Sequence, residues 1–194
     1  MTRRLCIVPR WGGDQSMEWY PWLRSQPVVT GGFARNILTP EVADRDAPTA
    51  EAWVDSLTAT CGREDLDDLY IVAHSVGCLG VLHYLASLPG TTTIAGFLAV
   101  AGWWTLDAPW ETIAPWVYSD ERPTLDVSRA RRACPAIRVL ISDNDPFTAD
   151  WATTRRQWQE RVGARVEVLP GKAHFNAREA PVVLDALAAL AGLA

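Results

Sequence analysis

Short apolar runs alternate with amphipathic stretches along the chain. Leu5 to Val8, Leu69 to Val72, Ile94 to Val100, Ile137 to Ile141 and Val166 to Leu169 are brief and mostly β-branched, the pattern of strands covered on both faces. Asn36 to Leu38 is a weaker sixth candidate. Between them, Ala50, Trp53, Val54, Leu57 and Cys61 recur at helical spacing, with Pro48 suited to the opening turn and Gly62 to the stop. Leu79, Leu82 and Leu85 mark a helix after the second long run. Asp150 is placed to cap a helix that buries Trp151, Trp158 and Val162 before Gly163 ends it, and Pro181 opens a last one bearing Val183, Leu184, Leu187 and Leu190. The alternation predicts an α/β fold, a mostly parallel sheet of about six strands with helices on both faces.

A chain of 194 residues fits one domain, expected here to span 1–194, and buries a full core without disulfide or metal staples. The net charge of -5 offers no footprint for nucleic acid or an anionic membrane. Cys6, Cys61, Cys78 and Cys134 lack the close pairing of a zinc site, so no metal is expected. The apolar stretch after Arg3 and Arg4 stops at Pro9, too short for a signal segment or a membrane span, which reads as the first core strand of a cytoplasmic protein with reduced thiols. Lys172 is the only lysine beside many arginines and alanines, the composition of a GC-rich bacterial genome. The loop after the first strand lacks Gly-x-Gly-x-x-Gly spacing and no phosphate loop is present, so no cofactor is expected.

In an open parallel sheet the ligand lies beyond the carboxyl ends of the strands, and three such places carry chemistry. Ala73-His74-Ser75-Val76-Gly77 sits between a strand and a helix, the setting of a nucleophile elbow, in which small residues two before and two after the serine let strand and helix approach closely. The bland alternative is that Ser75 only caps the helix. Asp143-Asn144-Asp145-Pro146 follows a later strand and supplies a carboxylate. Asp145, whose loop the following proline fixes, is the first choice and Asp143 the second, against the alternative of a plain turn. Gly171-Lys172-Ala173-His174 supplies a base, because an imidazole can take the serine proton at neutral pH and return it to a leaving group. His74 should point away from Ser75 and pack or bond locally, while His83 lies on a helix in a structural position. The order Ser, Asp, His, each after its own strand, is that of α/β-hydrolases. The backbone N–H of Val76, at a helix start, and that of Trp11, in the glycine-containing loop Pro9 to Gly13, are the expected oxyanion donors.

Ile7-Val8-Pro9 followed by Gly12-Gly13, Trp19 to Trp22, His74 to Gly77, Asp145-Pro146-Phe147 and Gly171 to Asn176 together resemble the compact serine hydrolases related to retinoblastoma-binding protein nine and the bacterial YdeN-like proteins, over essentially the whole chain. The resemblance implies a minimal α/β-hydrolase without a large cap domain, with Ser75, Asp145 and His174 as the triad. Arg10 departs from it, since relatives commonly have glycine after the strand-one proline. No cysteine lies in a Leu-x-Cys-x-Glu pattern, so no retinoblastoma-protein partner is carried over.

Between Gly102 and Arg122 an insertion brings Trp103, Trp104, Trp110 and Trp116. These either wall an acyl pocket, with Trp103, Trp104, Phe147 and Arg10 as its lining, or complete the core. Glu111 and Arg122 are candidates for the rim. The expected activity is hydrolysis of small or medium apolar carboxylic esters through an acyl-enzyme, falling on acidification as His174 takes a proton. Two other classes stay open: a hydrolase-fold binding partner, and acyl transfer, perhydrolysis or lyase chemistry on the same triad.

Overall fold

Alternate residues of each strand serve two different cores, and that alternation builds the molecule. The computed structural model describes residues 3–34, 36–121 and 123–193. Its strands are β1 (Arg4–Val8), β2 (Ile37–Leu38), β3 (Leu69–His74), β4 (Gly96–Val100), β5 (Ile137–Ser142) and β6 (Arg165–Leu169). They form one sheet in the order β2-β1-β3-β4-β5-β6, with every neighbouring pair parallel. Cys6, Val8, Ile71, Ala73, Phe97, Ala99, Val139 and Ile141 face one side, while Leu5, Ile7, Val72, Leu98, Val100 and Leu140 face the other. The first side is covered by α3 and α4, together with α5 and α6; the second is covered by α1, α2 and α7. In chain order these helices are α1 (Tyr20–Ser25), α2 (Pro27–Gly32), α3 (Ala50–Cys61), α4 (Val76–Ser87), α5 (Val127–Ala133), α6 (Trp151–Val162) and α7 (Pro181–Ala191).

The helix signals act as read, with a shift at the start of α3 and a difference in α6: Trp151, in its first turn, is only half-buried, while Thr154 is buried with Trp158 and Val162. Asp150 caps α6 by accepting from the Thr153 N–H, and Gly163 closes it in the left-handed conformation at φ 70°. The cap of α3 is Thr49, which accepts from the Ala52 N–H, so Pro48 lies just outside the opening turn rather than in it. Gly62 ends that helix at φ 90°. Helix α4 is apolar nearly all round because it lies between α3, α5 and the sheet; at Gly80 a Cβ would come 2.8 Å from the Trp53 ring. Helices α1, α2 and α5 gave no periodic signal, since at six or seven residues each they show fewer than two full turns of pattern.

The chain leaves β1 for β2 on one flank and then steps from β3 to β6 on the other, so the loops after β1 and β3 diverge at the sheet's carboxyl edge. Val8 pairs with Ala73 and His74 with Val100, which brings these strand ends level and opens a crevice between them. Among the described residues no helix is long and apolar enough to cross a membrane.

Candidate active site

Ser75 joins β3 to α4 with φ 55° and ψ -126°, a conformation that L-residues adopt rarely. Two backbone bonds hold it: its N–H donates to the Val100 carbonyl at 2.9 Å and its carbonyl accepts from the Cys78 N–H at 3.0 Å. Gly77 must be glycine, because a Cβ there would stand 2.4 Å from the Pro9 carbonyl oxygen. The Ser75 hydroxyl makes no capping bond to the helix, so plain helix cap is not the role Ser75 plays. The hydroxyl oxygen accepts a long hydrogen bond from Trp103 Nε1 at 3.4 Å and is 6% exposed as a residue. Among the described residues no hydrogen bond joins Ser75 to His174, although both line one cavity.

The loops after β5 and β6 are sewn together side chain to backbone. Asp143 Oδ1 accepts from the Gly171 N–H at 2.8 Å, Asn144 Oδ1 from the Ala173 N–H at 2.8 Å, and Ser142 Oγ from the Lys172 N–H at 2.9 Å. The result is a buried pair in which His174 Nδ1 lies 2.8 Å from Asp145 Oδ2. The other carboxylate oxygen of Asp145 accepts from the Phe147 N–H at 3.0 Å. Of the two carboxylates considered, Asp145 reaches the imidazole, and Asp143 shapes the loop that carries it. Ala173 at φ 46° and Phe175 at φ 56° flank His174, and Ala101 at φ 49° follows β4, so strained backbone gathers at this edge of the sheet.

In the loop after β1 the Arg10 N–H donates to the Tyr20 hydroxyl at 3.1 Å, the Gly12 N–H to the Arg45 carbonyl at 3.0 Å, and the Gly13 N–H to the Arg10 carbonyl at 3.0 Å. Pro9 has none to give, which leaves the Trp11 N–H without a partner among the described residues, like that of Val76 at the start of α4. Arg10 is anchored: Nη2 pairs with Glu18 at 2.7 Å and Nη1 donates to the Trp11 carbonyl at 2.7 Å. Among the described residues the His74 ring makes no hydrogen bond to Ser75, and the bonds it makes are not local. Nδ1 lies 2.8 Å from the Tyr20 hydroxyl and Nε2 lies 2.7 Å from the His174 carbonyl oxygen. Burial, followed by the neighbouring His174, brings its pKa down to about 3. His83 packs edge-on against Trp116, and burial lowers its pKa too.

The cavity over Ser75 and His174 has a volume of about 260 Å³. Trp11, Trp103, Trp110 and Phe147 supply aromatic walls, Leu106 and Ile113 aliphatic ones, and Arg10 and Asn176 the polar groups. Phe147 meets the His174 ring edge-on at 4.7 Å, Trp110 meets Trp11 at 5.7 Å, and both Trp110 (41%) and Phe147 (39%) are partly exposed at the mouth. Trp104 is not part of this lining, contrary to the sequence expectation: successive side chains diverge, and Trp104 is buried against Trp158 and Tyr118, with the Arg161 guanidinium 5.4 Å from its ring. Trp116 is likewise buried, donating to the Pro48 carbonyl at 2.9 Å. The insertion therefore divides, with Trp103 and Trp110 at the cavity and Trp104 and Trp116 in the core. Glu111 is exposed outside the lining, and Arg122 lies outside the described residues. A larger hollow of about 430 Å³ behind the β1 loop touches none of Ser75, Asp145 and His174, so size alone does not mark the site.

Sequence reasoning missed Tyr20, Glu18, Leu106 and Ile113, whose contribution is one of position and carries no motif. The Trp19 to Trp22 cluster was the one trace of Tyr20 available.

Comparison with known proteins agrees with this architecture. YdeN of Bacillus subtilis (strain 168), a protein named as a hydrolase, is 28% identical over 99 residues, a stretch covering half of this chain and half of YdeN. The YdeN crystal structure superposes with a TM-score of 0.81 at 20% identity, covering 97% of this chain and 98% of that one. Two more distant structures share the fold. A carboxylesterase of the thaumarchaeon Nitrososphaera gargenis has a TM-score of 0.58 at 13% identity, covering 95% and 85% of the two chains. The RedJ thioesterase of prodiginine biosynthesis in Streptomyces coelicolor has a TM-score of 0.58 at 17% identity, covering 100% and 91%. The family model described as serine hydrolase matches residues 5–181. With an α/β-hydrolase sheet, a serine at the β3–α4 turn and that match across nearly the whole chain, this protein belongs to the serine hydrolase family, in its compact YdeN-like form.

Proposed function

We propose that the protein hydrolyses carboxylic esters of small or medium apolar acids through an acyl-enzyme on Ser75. The observation that carries this reading is the buried 2.8 Å contact between His174 Nδ1 and Asp145 Oδ2 beside a serine strained at φ 55°. Nδ1 is committed to the carboxylate, so Nε2 is the nitrogen available to Ser75. Ser75 Oγ attacks the ester carbon as His174 Nε2 takes its proton. The carbonyl oxygen becomes an oxyanion between the N–H groups of Val76 and Trp11, and collapse expels the alcohol with the proton returned by His174. Water then repeats the sequence and frees the acid. Asp145 holds the ring and stabilises its charged form without taking the proton. The Ser75 Oγ to His174 Nε2 hydrogen bond that this mechanism requires forms as substrate fills the cavity, since catalytic hydrogen bonds commonly reach their working geometry only in the Michaelis complex.

The aromatic walls support an apolar acyl group, whose burial removes water from the acyl-enzyme. Labelling with a fluorophosphonate probe, followed with aryl ester hydrolysis, tests the assignment. Labelling should vanish in Ser75→Ala and slow by about 10³-fold or more in His174→Ala. A well-folded protein that neither labels nor turns over esters would refute the proposal.

A further inference from the structure

His74 is fully buried and takes no part in the chemistry proposed above, yet both ring nitrogens are engaged. The donor directions follow from elementary bookkeeping. The His174 carbonyl oxygen only accepts, so Nε2, 2.7 Å away, carries the proton. Nδ1 of a neutral ring is then an acceptor, and the Tyr20 hydroxyl at 2.8 Å must donate to it. That spends the phenolic proton and leaves the oxygen's lone pairs for the Arg10 N–H at 3.1 Å. The chain runs one way, from the Arg10 N–H through Tyr20 and His74 to the His174 carbonyl, with every member satisfied. Burial keeps the ring neutral, and a second proton on Nδ1 would leave the Tyr20 hydroxyl without its acceptor.

We propose that His74 is a positioning residue for the reaction, tying the loop that presents the Trp11 N–H to the loop that presents His174 by one hydrogen bond on each ring nitrogen. The inference rests on the ester-hydrolase reading of Ser75 and His174. At one end, Tyr20 occupies the Arg10 N–H, and among the described residues the Trp11 N–H is left without a partner in that loop. At the other, the carbonyl that His74 grips lies between Ala173 at φ 46° and Phe175 at φ 56°, a backbone that needs an outside restraint to persist. The imidazole cannot swing away, because the rings of Trp19, Tyr20 and His174 stand 5.7, 6.0 and 5.3 Å from it. His74 precedes Ser75 directly, so one rigid strand end references both the oxyanion side and the base side to the nucleophile.

The test uses Tyr20→Phe, which deletes one hydroxyl and keeps the ring, together with His74→Asn and His74→Gln; the Gln amide reaches towards the former Nε2 position and the Asn amide does not. Active sites are titrated with a fluorophosphonate, and kcat is taken per titrated site. Tyr20→Phe and His74→Asn should each lose about 10- to 100-fold in kcat with KM within about twofold, since misplaced groups slow the chemistry rather than binding. His74→Gln should recover much of the His74→Asn loss, and the Tyr20→Phe/His74→Asn double variant should lose no more than about the worse single, as members of one unit do. If only melting temperature and the fraction of titratable sites fall, with kcat per site unchanged, the network merely supports the fold and the proposal is overturned. Imidazole and amide nitrogen NMR gives a second reading that needs no turnover. His74 should be neutral and protonated on Nε2, and Tyr20→Phe should shift both the Trp11 amide and the His174 ring. An Nδ1-protonated His74, or an unmoved His174, would overturn the proposal as well. A wild type that neither labels nor turns over esters would sink the ester-hydrolase reading, while the NMR would still decide whether His74 joins the two loops.

Discussion

Ser75 and Gly77 illustrate how much a single position carries when backbone approaches backbone. A methyl group at Gly77 would be driven into the Pro9 carbonyl, which belongs to rigid strand-end backbone and cannot turn aside as a side chain would. Gly77→Ala should therefore cost about 2 kcal/mol or more by thermal unfolding, and should lower kcat by displacing the β1 loop that carries Trp11. The two neighbouring aspartates differ in kind. Asp145→Asn keeps the shape but leaves the imidazole without its charged partner, and kcat should fall by about 10³- to 10⁴-fold. Asp143→Ala removes the acceptor of the Gly171 N–H, and should cost about 1 kcal/mol of stability with a far smaller loss of activity. Equal losses in the two variants would mean that loop shape, rather than the carboxylate, is what His174 needs.

Among the elements, α6 and the tryptophan segment separate stability from chemistry. The Asp150 cap of α6 lies away from the cavity, so Asp150→Ala should cost about 1 kcal/mol and leave kcat unchanged, as unfolding and initial-rate measurements would show. Trp110, on the segment between β4 and α5, is partly exposed and packs edge-on against Trp11 across the mouth. Trp110→Ala should raise KM for bulky apolar acyl esters about tenfold while sparing acetyl esters, whose short chain does not reach the wall. The segment's four tryptophans could not be sorted in advance, because it has neither a helical nor a strand period that would say which way each ring turns. Only Trp158 on α6 and Tyr118 nearby, as neighbours, draw Trp104 into the core.

The whole molecule responds to acid through its buried imidazoles. His74 has an ordinary value of 6.5, brought down in the folded state to about 3, so between these values the unfolded chain binds a proton that the folded chain refuses. The stability from this group is complete above about pH 6.5 and declines as pH falls, by about 1.4 kcal/mol per unit until the folded value is reached. His83, lowered by burial as well, acts in the same direction. Denaturant melts taken between pH 7 and pH 4 should show this fall, and His74→Gln should flatten it. The same scale holds the reason for the crevice. The strand order reverses between β1 and β3, so the loop that carries Trp11 and the turn that carries Ser75 diverge there, and α7 with α1 and α2 seals the far face.

Strand runs, caps such as Asp150 and Gly163, and the succession of Ser75, Asp145 and His174 were legible along the chain, because local periodicity, backbone demands and a motif between strand and helix are all written in neighbouring residues. Asp145 already stood ahead of Asp143 on the sequence, by the proline that follows it; its 2.8 Å approach to His174, the division of the tryptophans, the anchoring of Arg10 by Glu18 and the bridge through Tyr20 and His74 were decided in three dimensions. Each depends on which side chains from distant segments come within hydrogen-bond or van der Waals reach. His74 and the His174 carbonyl are 100 positions apart and 2.7 Å distant, a meeting that no pattern of neighbours encodes and that the packing of β3 beside the loop after β6 brings about.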